Sequence, residues 1–201
     1  ITVFDCTNVG ANIVTLTVTN TNGNTATCTA QVFVSDATAP QVICRDITVQ
    51  LDNSGAASIT AADVDNGTND ACGIQNLSLN ISGFDCNDVG DNQVTLTATD
   101  ANNNTASCTA NVTVENNMLP NAVCQNITLQ LDANGFGSIM ASDINNGSDA
   151  ACDLQSILID IQEFNCSDIG PNTVVLTVSD VHANVATCNA TGTVEYNIST
   201  E

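Results

Sequence analysis

Lysine is absent from this 201-residue chain and Arg45 is its only arginine, set against 22 Asp and Glu, for a formal net charge of −21. A surface without basic side chains cannot displace the counterions of a phosphate lattice, so nucleic acid and anionic membranes are excluded as partners. Cations are the natural counterpart of such a charge. No lysine also means no Schiff base and no Lys–Asn isopeptide cross-link. Tryptophan is missing and aromatics make up 3% of residues, so any core must be built from Val, Ile, Leu and Ala around an occasional Phe. No run approaches the eighteen apolar residues of a membrane span, and no basic, apolar leader opens the chain. The opening Ile-Thr-Val-Phe-Asp-Cys, without an initiator Met, reads as a piece of something longer.

Present in excess are cysteines, and they are periodic. Cys6, Cys86 and Cys166 step by eighty residues, as do Cys28, Cys108 and Cys188, Cys44 and Cys124, and Cys72 and Cys152. Flanking residues follow: about 35 of 80 positions are identical between 39–118 and 119–198. The chain therefore reads as the second half of a copy (1–38), two complete copies (39–118 and 119–198) and the start of a further linker (199–201).

Within a copy the apolar period is two. Ile47, Val49 and Leu51 alternate with polar neighbours, as do Val94, Leu96 and Ala98, then Val112 and Val114. Turn residues predict a hairpin at Asp52-Asn53-Ser54-Gly55 between strands near 46–51 and 57–62, and another at Asp100–Asn103 between 93–99 and 105–114. A further strand is expected near 75–82. No segment has helical periodicity, so the fold class is all-β: tandem immunoglobulin-like sandwiches of about 80 residues, each of roughly seven short strands. Small aliphatic cores of this size are where cross-links matter most.

Four cysteines per copy permit three pairings. In a sandwich with an odd number of strands the first and last run parallel, which places Cys44 and Cys108 at one end and lets Cys72 reach Cys86. The rival, Cys44–Cys72 with Cys86–Cys108, stays open. Spacings of 14 to 28 residues and a single histidine argue against zinc. Disulfides imply an oxidising, extracellular or cell-surface location.

The motif string Pro-x-x-x-Cys (40–44), Ile-Thr-Val-Gln-Leu-Asp (47–52), Asp-Ala-Cys-Gly (70–73), Phe-Asp-Cys-x-Asp-Val-Gly (84–90), Val-Thr-Leu-Thr-x-x-Asp (94–100) and Asn-Thr-Ala-x-Cys-Thr-Ala-x-Val-Thr-Val (104–114) resembles the hyalin repeat. It looks closest to the cysteine-containing version arrayed in giant surface adhesins of gliding and biofilm-forming Bacteroidetes. The resemblance implies a disulfide-stapled immunoglobulin-like sandwich, type IX export and a stalk or adhesive role. Simple members of that family carry only the first and last cysteines of the pattern. This implies Cys44–Cys108 and Cys124–Cys188, leaves Cys72–Cys86 and Cys152–Cys166, and sends Cys6 and Cys28 to partners upstream of the chain.

A catalytic site is not expected, so the chain is not read as an enzyme. His182 stands where earlier copies carry Asn22 and Asn102, and reads as a loop substitution. The acidic loops point to calcium. Asp63, Asp65 and Asp70, with Asp100 and Asp36, are expected to gather at one junction; Glu115, Asp143, Asp149 and Asp180 gather at the next. Asp and Asn also serve simply as turn residues. The Asn-x-Ser/Thr sequons at Asn66, Asn76, Asn80 and Asn126 follow from an Asn- and Thr-rich composition. The reading is a structural or adhesive segment of a long extracellular repeat protein, with neighbouring copies as partners and self-association into filaments through exposed strand edges. A calcium-dependent carbohydrate-binding module, taking a glycan ligand, and accessory repeats of a secreted hydrolase are the alternatives.

Overall fold

The computed structural model describes residues 3–196. The linker start at 199–201, the last two residues of the 119–198 copy and the first two of the 1–38 half-copy lie outside the described residues. The chain divides into two compact units, one of Ile1–Ile47, Ile59–Ser82 and Asp91–Thr113, the other of Thr48–Ser58, Gly83–Gly90 and Val114–Glu201.

The alternating segments are strands. They are β1 (Gly10–Thr19), β2 (Thr25–Val34), β3 (Ile47–Gln50), β4 (Ala57–Ser58), β5 (Ile74–Leu79), β6 (Gly83–Phe84), β7 (Gly90–Asp100) and β8 (Thr105–Glu115). The period of eighty then repeats them as β9 (Ile127–Gln130), β10 (Phe136–Ser138), β11 (Leu154–Ile159), β12 (Glu163–Asn165), β13 (Gly170–Asp180) and β14 (Val185–Glu195). Two one-turn helices, α1 (Ala61–Val64) and α2 (Ala141–Ile144), depart from the helix-free expectation. A single turn leaves no periodicity to read; local side chains start it. Asp63 accepts from the Thr60 N–H and hydroxyl, and Asp143 from the Met140 N–H.

In the second unit β11-β13-β14-β9 form one four-stranded sheet, and β10 and β12 a small second one. Long β13 and β14 pair antiparallel over ten residues, with Val174 opposite Ala190 and Leu176 opposite Cys188. β9 runs parallel to the end of β14, Ile127 beside Gly192. Between the sheets lies an aliphatic core of Leu131, Ile139, Ile144, Ile159, Val174, Leu176, Val178, Ala190 and Val194 with one aromatic, Phe164. Each large side chain here contributes about 1.5–3 kcal/mol by burial. The preceding copy contributes the four-stranded sheet β3-β8-β7-β5 and the pair β4–β6.

The hairpin expected between 46–51 and 57–62 is corrected. A tight turn does form, since Asp52 N–H bonds Ala56 O and Gly55 N–H bonds Asp52 O. Its arms, however, join different sheets: β3 lies in the four-stranded sheet, while β4 pairs with β6. The turn carries the chain from one layer to the other, so that Leu51 and Ile59, on either side of it, are both buried.

β1 and β2 make the hairpin register of β13 and β14 again, with Leu16 opposite Cys28. Its apolar row is in the open, Leu16 at 62% and Val18 at 59% exposure, because among the described residues its sheet consists of these two strands alone.

Candidate functional site

Four disulfides cross-link the chain. Cys44 bonds Cys108 and Cys124 bonds Cys188, closing loops of 64 residues. Cys6 bonds Cys72 and Cys86 bonds Cys152, each pair separated by 66 residues. This corrects three expectations: Cys72–Cys86, Cys152–Cys166, and an upstream partner for Cys6. The reason is strand register. Leu154 pairs with Asp180, so Cys152 stands at the Asp180 end of β13, whereas Cys166 precedes Gly170 at its other end. Eleven extended residues span roughly 35 Å, and a disulfide bridges Cα atoms at most about 7 Å apart. Register Ile74 with Asp100 likewise puts Cys72 at the far end of β7 from the segment holding Cys86. Each of these cysteines meets instead a cysteine one copy away. Cys28 and Cys166 are free, exposed thiols among the described residues.

The acidic residues divide into those consumed by turns and a remaining pair. Asp63 and Asp143 cap the one-turn helices. Asp65 accepts from the Thr68 N–H, and Glu115 accepts from Gln50 and Asn117 side chains. Bonds from the Thr60 hydroxyl and N–H hold Asp63 below the usual carboxylate range, and those from Thr68 do the same to Asp65. Asp149 bridges to Asn121 through backbone hydrogen bonds.

Asp100 and Asp180 are buried at the β7–β8 and β13–β14 turns, at 0% and 1% exposure. Asp100 Oδ1 accepts from the N–H groups of Asn102 and Asn104, and Oδ2 from Asn104 Nδ2 at 2.8 Å. Asp180 accepts from His182 N–H, Asn184 N–H and Asn184 Nδ2, and also from Asn116 Nδ2 at 2.9 Å. Burial alone would raise both carboxyls, but their donors together, Asn104, Asn102 and Asn103 for Asp100 and Asn184, His182 and Asn116 for Asp180, outweigh it and hold both below the ordinary value. The two asparagines also donate to the incoming segment, Asn104 to Asp36 O at 3.3 Å and Asn184 to Asn116 O at 3.0 Å. Sequence reading did not single out these asparagines; the signal was an acid or Asn followed four residues later by Asn at 20, 100 and 180. His182 is part of this turn, its Nδ1 3.2 Å from Asn116 Nδ2.

Of the acids expected to gather in the first unit, Asp36 and Asp70 come together, with Cys72, their ligand atoms within 4.8 Å of one another. Cys72 Sγ is committed to Cys6, which leaves two carboxylates. Asp36 Oδ1 accepts from Thr38 N–H and Asp70 Oδ1 from Cys72 N–H. Asp36 Oδ2 is buried and accepts no hydrogen bond. Two oxygens on one calcium ion, each about 2.3–2.6 Å from it, lie at most about 5 Å apart, so the pair fits a shared hard cation. In the following copy both acids are replaced together: Asn116 stands at the position of Asp36 and Ala150 at that of Asp70.

No curated protein matches the chain. Among solved structures it is similar to three cadherin domains of protocadherin gamma C5 (TM-score 0.43, 9% identity, covering 94% of this chain and 78% of that one). It is also similar to four domains of protocadherin gamma B7 (TM-score 0.41, 10% identity, 96% of this chain) and to titin domains I67–I69 (TM-score 0.37, 11% identity, 92% and 75%). The chain spans 59% of the gamma B7 structure and 37% of that of protocadherin gamma B4. A family model, the HYR domain, matches residues 35–114, the segment whose cysteines, turns and strands have just been described.

Proposed function

We propose that this chain is a structural and adhesive segment of a long extracellular repeat protein, made of copies at 1–38, 39–118 and 119–198. The observation that carries this reading is the pair of 66-residue disulfides, each of which ties a cysteine of one copy to a cysteine of the next. A chain so linked bears tension through covalent bonds as well as through its sheets, and with one Arg and no Lys it offers almost nothing to trypsin-like proteases. Its neighbours are further copies of itself, and self-association into filaments would use exposed strand edges. The hyalin-repeat resemblance extends the reading to a bacterial surface adhesin of the gliding or biofilm-forming kind, exported by the type IX route, with no catalytic role.

Electron microscopy of the intact protein tests it: a thin rod with a repeat on the order of 40 Å, the length of a long strand plus a linker, is expected. A compact particle with no axial repeat would sink the reading.

Calcium belongs to the same proposal. Asp36 and Asp70 would hold the ion in the first unit, backbone carbonyls and water completing its shell. Bound calcium at a hundredfold its Kd stabilises by about 2.7 kcal/mol. Calcium should raise the first thermal transition of the native chain, and the double substitution Asp36→Asn, Asp70→Ala should abolish that rise. Identical melts in calcium and in EDTA would remove calcium from the account.

A further inference from the structure

Cys166 occupies a seat that is filled twice elsewhere in the same chain. Cys6, Cys86 and Cys166 each open a 3-10 turn, Cys6–Asn8, Cys86–Asp88 and Cys166–Asp168. Each turn is capped by the preceding Asp or Asn: Asp5 accepts from Thr7 N–H, Asp85 from Asn87 N–H and Asn165 from Ser167 N–H. Two of the three cysteines are bonded to the cysteine 66 residues on; the third is an exposed thiol.

The surroundings of the bonded and the free sulfur match. Cys86 Sγ lies 3.7 Å from the carbonyl oxygen of Gly55, and Cys166 Sγ 3.7 Å from that of Gly135. Both glycines have positive φ, +75° and +81°. A Cβ on Gly55 would meet the Cys86 sulfur at 2.7 Å, and one on Gly135 the Cys166 sulfur at 2.5 Å, so both places are kept clear for sulfur. At Gly55 the same missing Cβ also makes room for what lies across the bond, the Ala151 carbonyl oxygen, which a Cβ would meet at 2.9 Å. That oxygen is 3.5 Å from Cys86 Sγ. The partner is thus a short loop, Ala151-Cys152, delivered onto the glycine turn. Beside Gly135 the turn borders an open cavity of about 420 Å³ lined by Asp132, Phe136, Gly137, Ser138, Glu163 and Phe164.

We infer that Cys166 and the Asp132–Gly135 turn are an acceptor site for the Ala-Cys loop of one further copy of this repeat in the same polypeptide, and that Cys166 forms a disulfide with that copy's counterpart of Cys152. The inference rests on the tandem-array reading and names its covalent link. The bond forms by thiol–disulfide exchange with a low-molecular-weight disulfide such as oxidised glutathione: two protein thiols lose two electrons and two protons, and the oxidant's S–S bond is reduced to two thiols. Cys28 belongs to the other class. Its counterparts Cys108 and Cys188 bond to cysteines 64 residues earlier, so Cys28 gains nothing from a copy added after Cys166.

The experiment extends the full chain by a duplicate of residues 119–198, in phase, and oxidises it in a glutathione buffer. Non-reducing digestion with an Asp-directed protease and mass spectrometry then read the pairings. A peptide joining Cys166 to the added counterpart of Cys152 is expected, with alkylation of Cys166 falling at least tenfold against the 201-residue chain. Replacing that added cysteine by serine should restore alkylation. Cys166 remaining fully alkylable while Cys86–Cys152 and Cys124–Cys188 are intact, or pairing with Cys28, would overturn the inference and leave the rod reading to microscopy. On the 201-residue chain itself, a peptide copying residues 66–77 and activated as a mixed disulfide at its cysteine should label Cys166 at least tenfold faster than Cys28. Equal rates would count against a shaped acceptor.

Discussion

Hairpin β1–β2 and hairpin β13–β14 have the same strand register and nearly the same alternation of side chains, yet one leaves its apolar row in the open and the other buries it completely. Leu16 and Leu176 occupy matching positions, as do Cys28 and Cys188, and Asn20 and Asp180. Leu176 shares a buried core with Leu131, Ile139, Ile144 and Phe164 of its unit. Period-two patterning therefore makes the hairpin, but what a side chain contributes depends on the layer opposite. Matched substitutions separate the two.

The largest difference is expected at the cysteines. Cys188→Ser removes a 64-residue closure worth about 4 kcal/mol in the chain-entropy model, while Cys28→Ser removes none. Urea unfolding followed by far-ultraviolet circular dichroism reads both units, and the fluorescence of Tyr196, the only tyrosine, reads the second alone. Next comes the core: Leu176→Ala should cost about 3 kcal/mol and Leu16→Ala less than about 0.5 kcal/mol, since only the first opens a cavity. Equal effects at Leu16 and Leu176 would mean that the first hairpin is covered after all.

At the turn, Asp180→Ala strands the donors of buried Asn116 and half-buried Asn184 and should cost about 2 kcal/mol, whereas Asn20→Ala, in an exposed turn, should cost a few tenths at most. The smallest effect is one of pH. The Asp180 carboxyl is held below the ordinary value, so its stabilisation is complete above the unfolded pKa of about 3.9 and is lost as pH falls through the lower folded value. The urea midpoint of the second unit should be level from pH 7 to about 5 and drop below about 4. Asp180→Asn should flatten that drop; an unchanged slope would assign it to other carboxyls.

A second contrast lies between the two copies' acidic corners. Asp36 faces Asp70 with one oxygen buried and unpartnered, while Asn116 answers Asp180 with a donor and has Ala150 in place of the second acid. The first arrangement leaves a buried carboxylate oxygen without a donor, and the second supplies its own hydrogen bond. Sequence reading grouped Asp63, Asp65 and Asp100 with Asp36 at one junction and Asp143 with Asp180 at the next, because Asp looks alike whether it caps a helix, closes a turn or faces a cation. Only hydrogen-bond accounting separates these roles.

The repeat, the all-β class and the long hairpins were legible in the chain because each is a local or periodic property: side chains alternate every two residues, and cysteines recur every eighty. The layer change at Asp52–Gly55 was not, since a tight turn looks the same whether its arms pair with each other or part. Disulfide partners were least legible. Counting along the chain makes Cys72 and Cys86 neighbours at 14 residues, whereas β5 and β7, paired from one end, set them at opposite ends of an eleven-residue strand. Composition and periodicity dictate that there are cross-linked sandwiches here; which copy each bond reaches is decided by folding, because a disulfide depends on a separation of a few ångströms in space and is indifferent to distance along the sequence.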